Sequence, residues 1–123
     1  MFNLVILSGR LTINPELKTT PNGVSVCSFS IAVERKYKQD EEKLTDFINI
    51  VAWRSSAEFV SKYFKKGDMI GIEGSIQTRK YQDKDGNNRT AFEVVVNDIH
   101  FIENKADNSQ GNSDYIDNDD VNF

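Results

Sequence analysis

The stretch TDFINIVAW (Thr45–Trp53) alternates in a way that separates two kinds of side chain. With a strand period of two, Phe47, Asn49, Val51 and Trp53 share one face, while Ile48, Ile50 and Ala52 share the other. The second set would fill one side of a small core, which leaves two large rings flanking an asparagine. Gln77, Arg79 and Tyr81 fall on one face of a later stretch, with Lys80 adjacent, and an arginine there is a poor core residue. Arg35, Lys36, Tyr37 and Lys38 repeat the mixture of ring and base, and Arg54 directly follows Trp53. Rings interleaved with cations suit a single strand of nucleic acid, whose bases stack for roughly 1–3 kcal/mol each while its phosphates meet the charges. Two plainer readings stay open at this level. Both faces of the Phe47 strand could be buried, and the basic ends could be a solvated rim of snorkelling side chains.

Catalytic chemistry finds little support. His100 lies in an alternating stretch with no cysteine or serine motif near it, as expected of a hydrogen-bonded or exposed histidine. Cys27 alternates with Phe29, Ile31 and Val33, the pattern of a core thiol. KKGDMIGIEG (Lys65–Gly74) contains glycines but lacks the G-x-x-x-x-G-K spacing that cradles phosphates. The carboxylates are scattered among lysines without an acid/base pair, which leaves a small hydrolase no machinery. One cysteine and one histidine exclude a disulfide framework and a self-contained zinc site, so neither metal nor cofactor is expected.

Five extended segments position these residues. They are Asn3–Ile13, Val24–Arg35, Thr45–Trp53, Asp68–Tyr81 and Thr90–Ile102. Asn14-Pro15 ends the first, Pro21-Asn22-Gly23 leads into the second, and Asp85-Gly86-Asn87 marks a hairpin turn between the last two. One helix is expected after the third. Ser55-Ser56-Ala57-Glu58 has capping-box spacing, Ala57, Val60 and Phe64 recur at helical intervals, and Gly67 suits the position past the helix end. Five strands with a helix between the third and fourth is the element order of the OB-fold, a five-stranded Greek-key barrel. Gly9, Gly71 and Gly74 inside strands fit the bends of so small a barrel.

Charge divides the chain of 123 residues in two. The net charge is −4, yet residues 1–105 hold all 15 Lys and Arg against 14 Asp and Glu, whereas residues 106–123 hold five acids and no base. The segment KADNSQGNSDYIDNDD has few groups able to pack and reads as disordered. The expected division is a folded domain over 1–104 and an acidic tail over 105–123. The longest apolar run near the start, Leu4–Leu7, is too short to span a membrane, and no basic leader precedes it. A soluble, reduced, cytoplasmic protein is expected.

NLVILSGRLTINPELKTTPNGVSV, TDFINIVAW, AEFVSKYFKKGDMIGIEGSIQTRKYQDKDG and FEVVV, followed by an acidic end, together resemble the single-stranded DNA-binding (SSB) family of bacteria and phages. The resemblance covers about residues 2–103 and the last few residues. It implies an OB-fold assembling as a homotetramer that wraps single-stranded DNA without strong sequence preference, in a bacterial cell or a phage-infected host. The family's stacking aromatics carry over onto Phe47, Trp53, Tyr81 and Tyr37, and basic positions of its DNA path onto Lys18, Lys66, Arg79 and Lys80. Arg10, Arg35, Lys36, Arg54 and Lys62 are further phosphate contacts argued from charge alone. The family's acidic tip, which docks on replication, recombination and repair proteins, corresponds to Asp117, Asp119, Asp120, Val121 and Phe123. Asn122 stands where the family commonly has proline, and Asn118 interrupts the acids, two departures from the family's tip. An adaptor working through its tail alone is the rival reading, but it would have no use for Phe47, Trp53 and Tyr81 among bases.

Overall fold

The computed structural model describes residues 1–36 and 42–102. Tyr37, the 105–123 tail and its tip residues Asp117, Asp119, Asp120, Val121 and Phe123 lie outside the described residues. The elements run β1 (Val5–Leu11), β2 (Lys18–Thr19), β3 (Ser25–Glu34), β4 (Thr45–Trp53), α1 (Ser55–Tyr63), β5 (Met69–Gln82) and β6 (Asn88–Phe101). All five expected strands and the helix form. β2, a two-residue strand, is the addition: Lys18 and Thr19 pair with Val26 and Ser25 along the edge of β3.

The strands hydrogen-bond in the order β1-β5-β6-β4-β3-β2, and a pairing of β1 with β3 through Arg10–Ala32 and Leu11–Ile31 turns the sheet into a ring. All ladders are antiparallel except β4 with β6, where Ile50 pairs with Val94 and Val51 with Val95. This ring, with one helix among the described residues, is the OB architecture.

Alternation supplies the interior. Cys27, Phe29 and Ile31 of β3 point inward with Ile50 and Ala52 of β4, Ile70 and Ile72 of β5, and Val94 and Val96 of β6. Fully burying one large aliphatic side chain is worth about 1.5–3 kcal/mol, so this shared core carries the fold. The helix closes one end with Ala57 and Val60, followed by Phe64, and packs on β3, β4 and β6. Gly9 makes the closure of the ring sterically feasible. A Cβ there would stand 2.5 Å from the carbonyl oxygen of Ala32, closer than side chains approach. Gly74 lies at the register shift in the β5–β6 ladder, where a Cβ would collide with the Val95 carbonyl. Among the described residues no helix is long and apolar enough to cross a membrane.

Two local expectations are corrected. Ser55 is the first residue of α1 rather than its cap; Arg54 occupies the cap position, and no side chain caps it. Glu58 is drawn elsewhere, because its Oε2 accepts a hydrogen bond from the Ser25 hydroxyl of β3 at 3.1 Å. Gly67 is likewise not a helix terminator. The helix ends in the extended residue Phe64, and Gly67 (φ 91°) lies in a separate turn where the Asp68 N–H donates to the Lys65 carbonyl. The Gly67 N–H donates to the Leu11 carbonyl at 2.8 Å, so this turn fastens the run into β5 to the end of β1.

Candidate nucleic-acid interface

Residues paired directly across a ladder project to the same side, so register alone maps the outer face of the barrel. Trp53 pairs with Val26, and Val26 pairs on its other side with Lys18. Phe47 pairs with Ala32, and Ala32 pairs on its other side with Arg10. Each ring on β4 therefore has a base two strands away, about 10 Å at ordinary strand spacing. Between them runs the outward side of β3: Val26, Ser28, Ser30 and Ala32, all small or short. Phe47 is 69% exposed and Trp53 42% exposed. They stand six residues apart on one strand, about 20 Å, with exposed Asn49 between them. Neither ring belongs to the core, so the reading with both faces of β4 buried does not hold here, although Val51 on the same face is covered.

The long β5–β6 hairpin continues this outer face. Val51 pairs with Val95, and Val95 with Ser75, so Gln77, Arg79 and Tyr81 continue the face that carries Phe47 and Trp53. Tyr81 is 44% exposed, and the Arg79 guanidinium lies 5.6 Å from the centre of its ring, within cation–π range. Arg79 also pairs with Glu93 at 3.2 Å. The tip of the hairpin is held by Asp83, whose Oδ1 accepts the N–H groups of Asp85 and Asn87 at 2.9 Å and whose Oδ2 pairs with Arg89. These bonds, led by that with Arg89, hold the Asp83 carboxyl below its usual range. Gly86, with φ 80°, allows the turn.

The other basic positions are spread more widely. Lys36 and Lys80 are exposed. Arg35 is bound at both Nε and Nη2 by Asp46 at 2.9 Å, which raises the guanidinium pKa and lowers that of the carboxyl. Lys62 and Lys66 sit at the far end of α1, a helix of nine residues or about 13 Å. There Lys62 lies 5.4 Å from the Tyr63 ring centre, and the Lys66 N–H donates to Asn14. The structure thus brings Lys18 into line with Trp53, Arg10 with Phe47 and Arg79 with Tyr81. Lys66 adjoins Gly67, whose carbonyl accepts from the Arg10 guanidinium at 3.0 Å, while Lys62 lies against Tyr63 on the helix.

Sequence reasoning missed some of this surface. Arg89 stands directly across from Tyr81, and Phe92, 67% exposed, projects from the opposite face of the hairpin. The Ser28–Ser30 floor was readable, because these residues alternate with Cys27, Phe29 and Ile31. Phe92 was not, since an aromatic in a strand reads as core until its neighbours are known. Cys27 is buried, and burial raises its thiol pKa above the ordinary value. His100 is hydrogen-bonded to Glu73, with Asp98 3.8 Å from the same ring nitrogen.

A ring of strands carrying aromatic and cationic side chains in register on one outer face defines an OB-type binding protein. The sequence profile of the single-strand binding protein family matches residues 2–102. The chain is 46% identical over 119 residues to a single-stranded DNA-binding protein of Halalkalibacterium halodurans, a match covering 96% of this chain and 70% of the relative. It is 46% identical over 112 residues to single-stranded DNA-binding protein 2 of Listeria monocytogenes, covering 90% of this chain and 70% of that one. Over 132 residues it is 41% identical to single-stranded DNA-binding protein 2 of Clostridium acetobutylicum, covering 98% and 99%. The chain belongs to the single-strand binding protein family, whose members bind single-stranded DNA and are not enzymes.

Proposed function

We propose that this protein coats single-stranded DNA by stacking bases on Phe47, Trp53 and Tyr81, joined by Tyr37, while phosphates run along Lys18, Arg10, Arg54, Arg79 and Lys80. The observation that carries this reading is the paired register, Trp53–Val26–Lys18 and Phe47–Ala32–Arg10, which sets a ring and a cation on opposite sides of a shallow floor. A stacked base and its own phosphate need such a separation, and a duplex, with its bases already stacked, offers neither ring a partner. Arg35, Lys36, Lys62 and Lys66 would extend the path beyond these rows.

The protein would act in the bacterial cytoplasm wherever replication, recombination or repair exposes a single strand. It would recruit partner enzymes through Asp117, Asp119, Asp120, Val121 and Phe123, an aromatic anchor among acids. A homo-oligomer, a tetramer by family resemblance, would do the wrapping. Support for self-association comes from β1, whose edge opposite β5 is paired with β3 only at Arg10 and Leu11 among the described residues. Nearby Leu4 and Ile6 are exposed.

Titration with oligo-dT, read by quenching of Trp53, the only tryptophan, tests the site. Strong quenching with a salt slope of about 0.7 per phosphate neutralised, and far weaker binding of a duplex of equal length, is the expected result. Tight binding without quenching would move Trp53 off the path. No binding at low salt would end this reading.

A further inference from the structure

Arg54 is the one non-glycine residue with positive φ among the described residues, at φ 56° and ψ −125°. This is not the left-handed helical well that asparagine and aspartate tolerate. It is the conformation of the first central residue of a type II′ turn, a glycine position. The chain is fixed on both sides of it: the Arg54 N–H donates to the Ser25 carbonyl at 2.8 Å, and its own carbonyl accepts from the Glu58 N–H at 3.1 Å. One bond ties the residue to β3 and the other starts α1, so neither can relax the backbone without loosening the join between Trp53 and the helix.

A second observation is independent of the first. Arg35 pairs with Asp46, Arg79 with Glu93 and Arg89 with Asp83, and Arg10 donates to the Gly67 carbonyl. The exposed Arg54 side chain alone among these arginines has no hydrogen-bond or ion-pair partner among the described residues. A strained residue whose side chain does nothing for the fold is expected where the strain serves something outside it.

We propose that Arg54 holds a glycine conformation at the expense of stability so that its guanidinium clamps a phosphate of the nucleotide stacked on Trp53. The inference rests on the reading of Trp53 as a stacking surface and adds the residue that fixes the strand there. The planar fork of a guanidinium can grip one phosphate through two parallel hydrogen bonds, which a lysine ammonium cannot reproduce.

The test uses the full chain with R54G, R54A and R54K. R54A keeps the strain without the guanidinium, so R54G compared with R54A isolates the backbone. R54G should melt above R54A, while both bind oligo-dT roughly tenfold more weakly than the unsubstituted chain. Their salt slopes should fall by about 0.7, one phosphate. R54K should keep the slope yet lose part of the affinity. R54G melting at or below R54A would overturn the strain. Unchanged affinity and slope in R54G would overturn the clamp while leaving Trp53 in place. Failure of the unsubstituted chain to bind at all would instead bring down the surface on which the clamp depends.

Discussion

Trp53 and Lys18 flank the same residue, each the cross-strand partner of Val26 on one of its two sides. Lys18 reaches this position only because the two-residue β2 pairs with the start of β3. Ring and ammonium stem therefore share a face at about 10 Å, although 35 residues separate them in the chain.

This alignment separates two effects that a single affinity would merge. Trp53→Ala should weaken oligo-dT binding by roughly 1–3 kcal/mol, about five- to 150-fold, with the salt slope unchanged. Lys18→Ala should lower the slope by about 0.7 and lose affinity mainly at low salt. Titrations of the two variants across salt concentrations, followed by fluorescence anisotropy of a labelled oligonucleotide, check both. A lower slope in Trp53→Ala would mean that the ring acts by holding a cation rather than a base.

Closure of the barrel depends on Gly9. Gly9→Ala places a methyl 2.5 Å from the Ala32 carbonyl oxygen, an atom of the backbone that cannot swing aside. A loss of about 1–3 kcal/mol is expected, measured by urea unfolding. Gly71→Ala serves as the comparison, because its Cβ would meet the flexible end of the Ile102 side chain. Equal losses in the two variants would remove the argument from close approach.

Acid should loosen the protein in part through Asp46 and Asp83. The hydrogen bonds from Arg35 and Arg89 lower these carboxyl pKa values in the folded state. An unfolded aspartate titrates near about 3.9, so their stabilisation is complete above that pH. It is lost as pH falls through the lower folded values. Asp46→Asn should flatten the fall in melting temperature over that acid range, by a small amount because the pair is exposed. A profile as steep as that of the unsubstituted chain would assign the acid sensitivity to other groups.

Removal of residues 114–123 should leave oligo-dT affinity intact or slightly raised, since it takes away four acids, Asp114, Asp117, Asp119 and Asp120, that compete weakly with phosphate for the same cations. Capture of tail-binding replication and repair enzymes should disappear. Pull-down of such enzymes with the full and shortened chains, beside a DNA titration of each, gives both readouts. Loss of DNA binding on truncation would overturn the division of labour between barrel and tail.

What the sequence determined by itself is what short-range geometry controls. Alternation in TDFINIVAW separates Phe47 and Trp53 from Ile48, Ile50 and Ala52, because a strand must send neighbouring side chains to opposite sides. The same rule made Cys27 a core thiol, and helical spacing placed Ala57 and Val60 against the barrel. The tertiary structure decided what depends on pairings distant in the chain. It lined up Lys18 with Trp53 and Arg10 with Phe47, engaged Arg35 with Asp46 and Arg79 with Glu93, and turned Glu58 from the helix start to Ser25. It also set Arg54 in a glycine conformation, which no local preference of arginine would choose. Register and ring closure join residues far apart in sequence, and a one-residue slip in either would have sent these side chains to the other face.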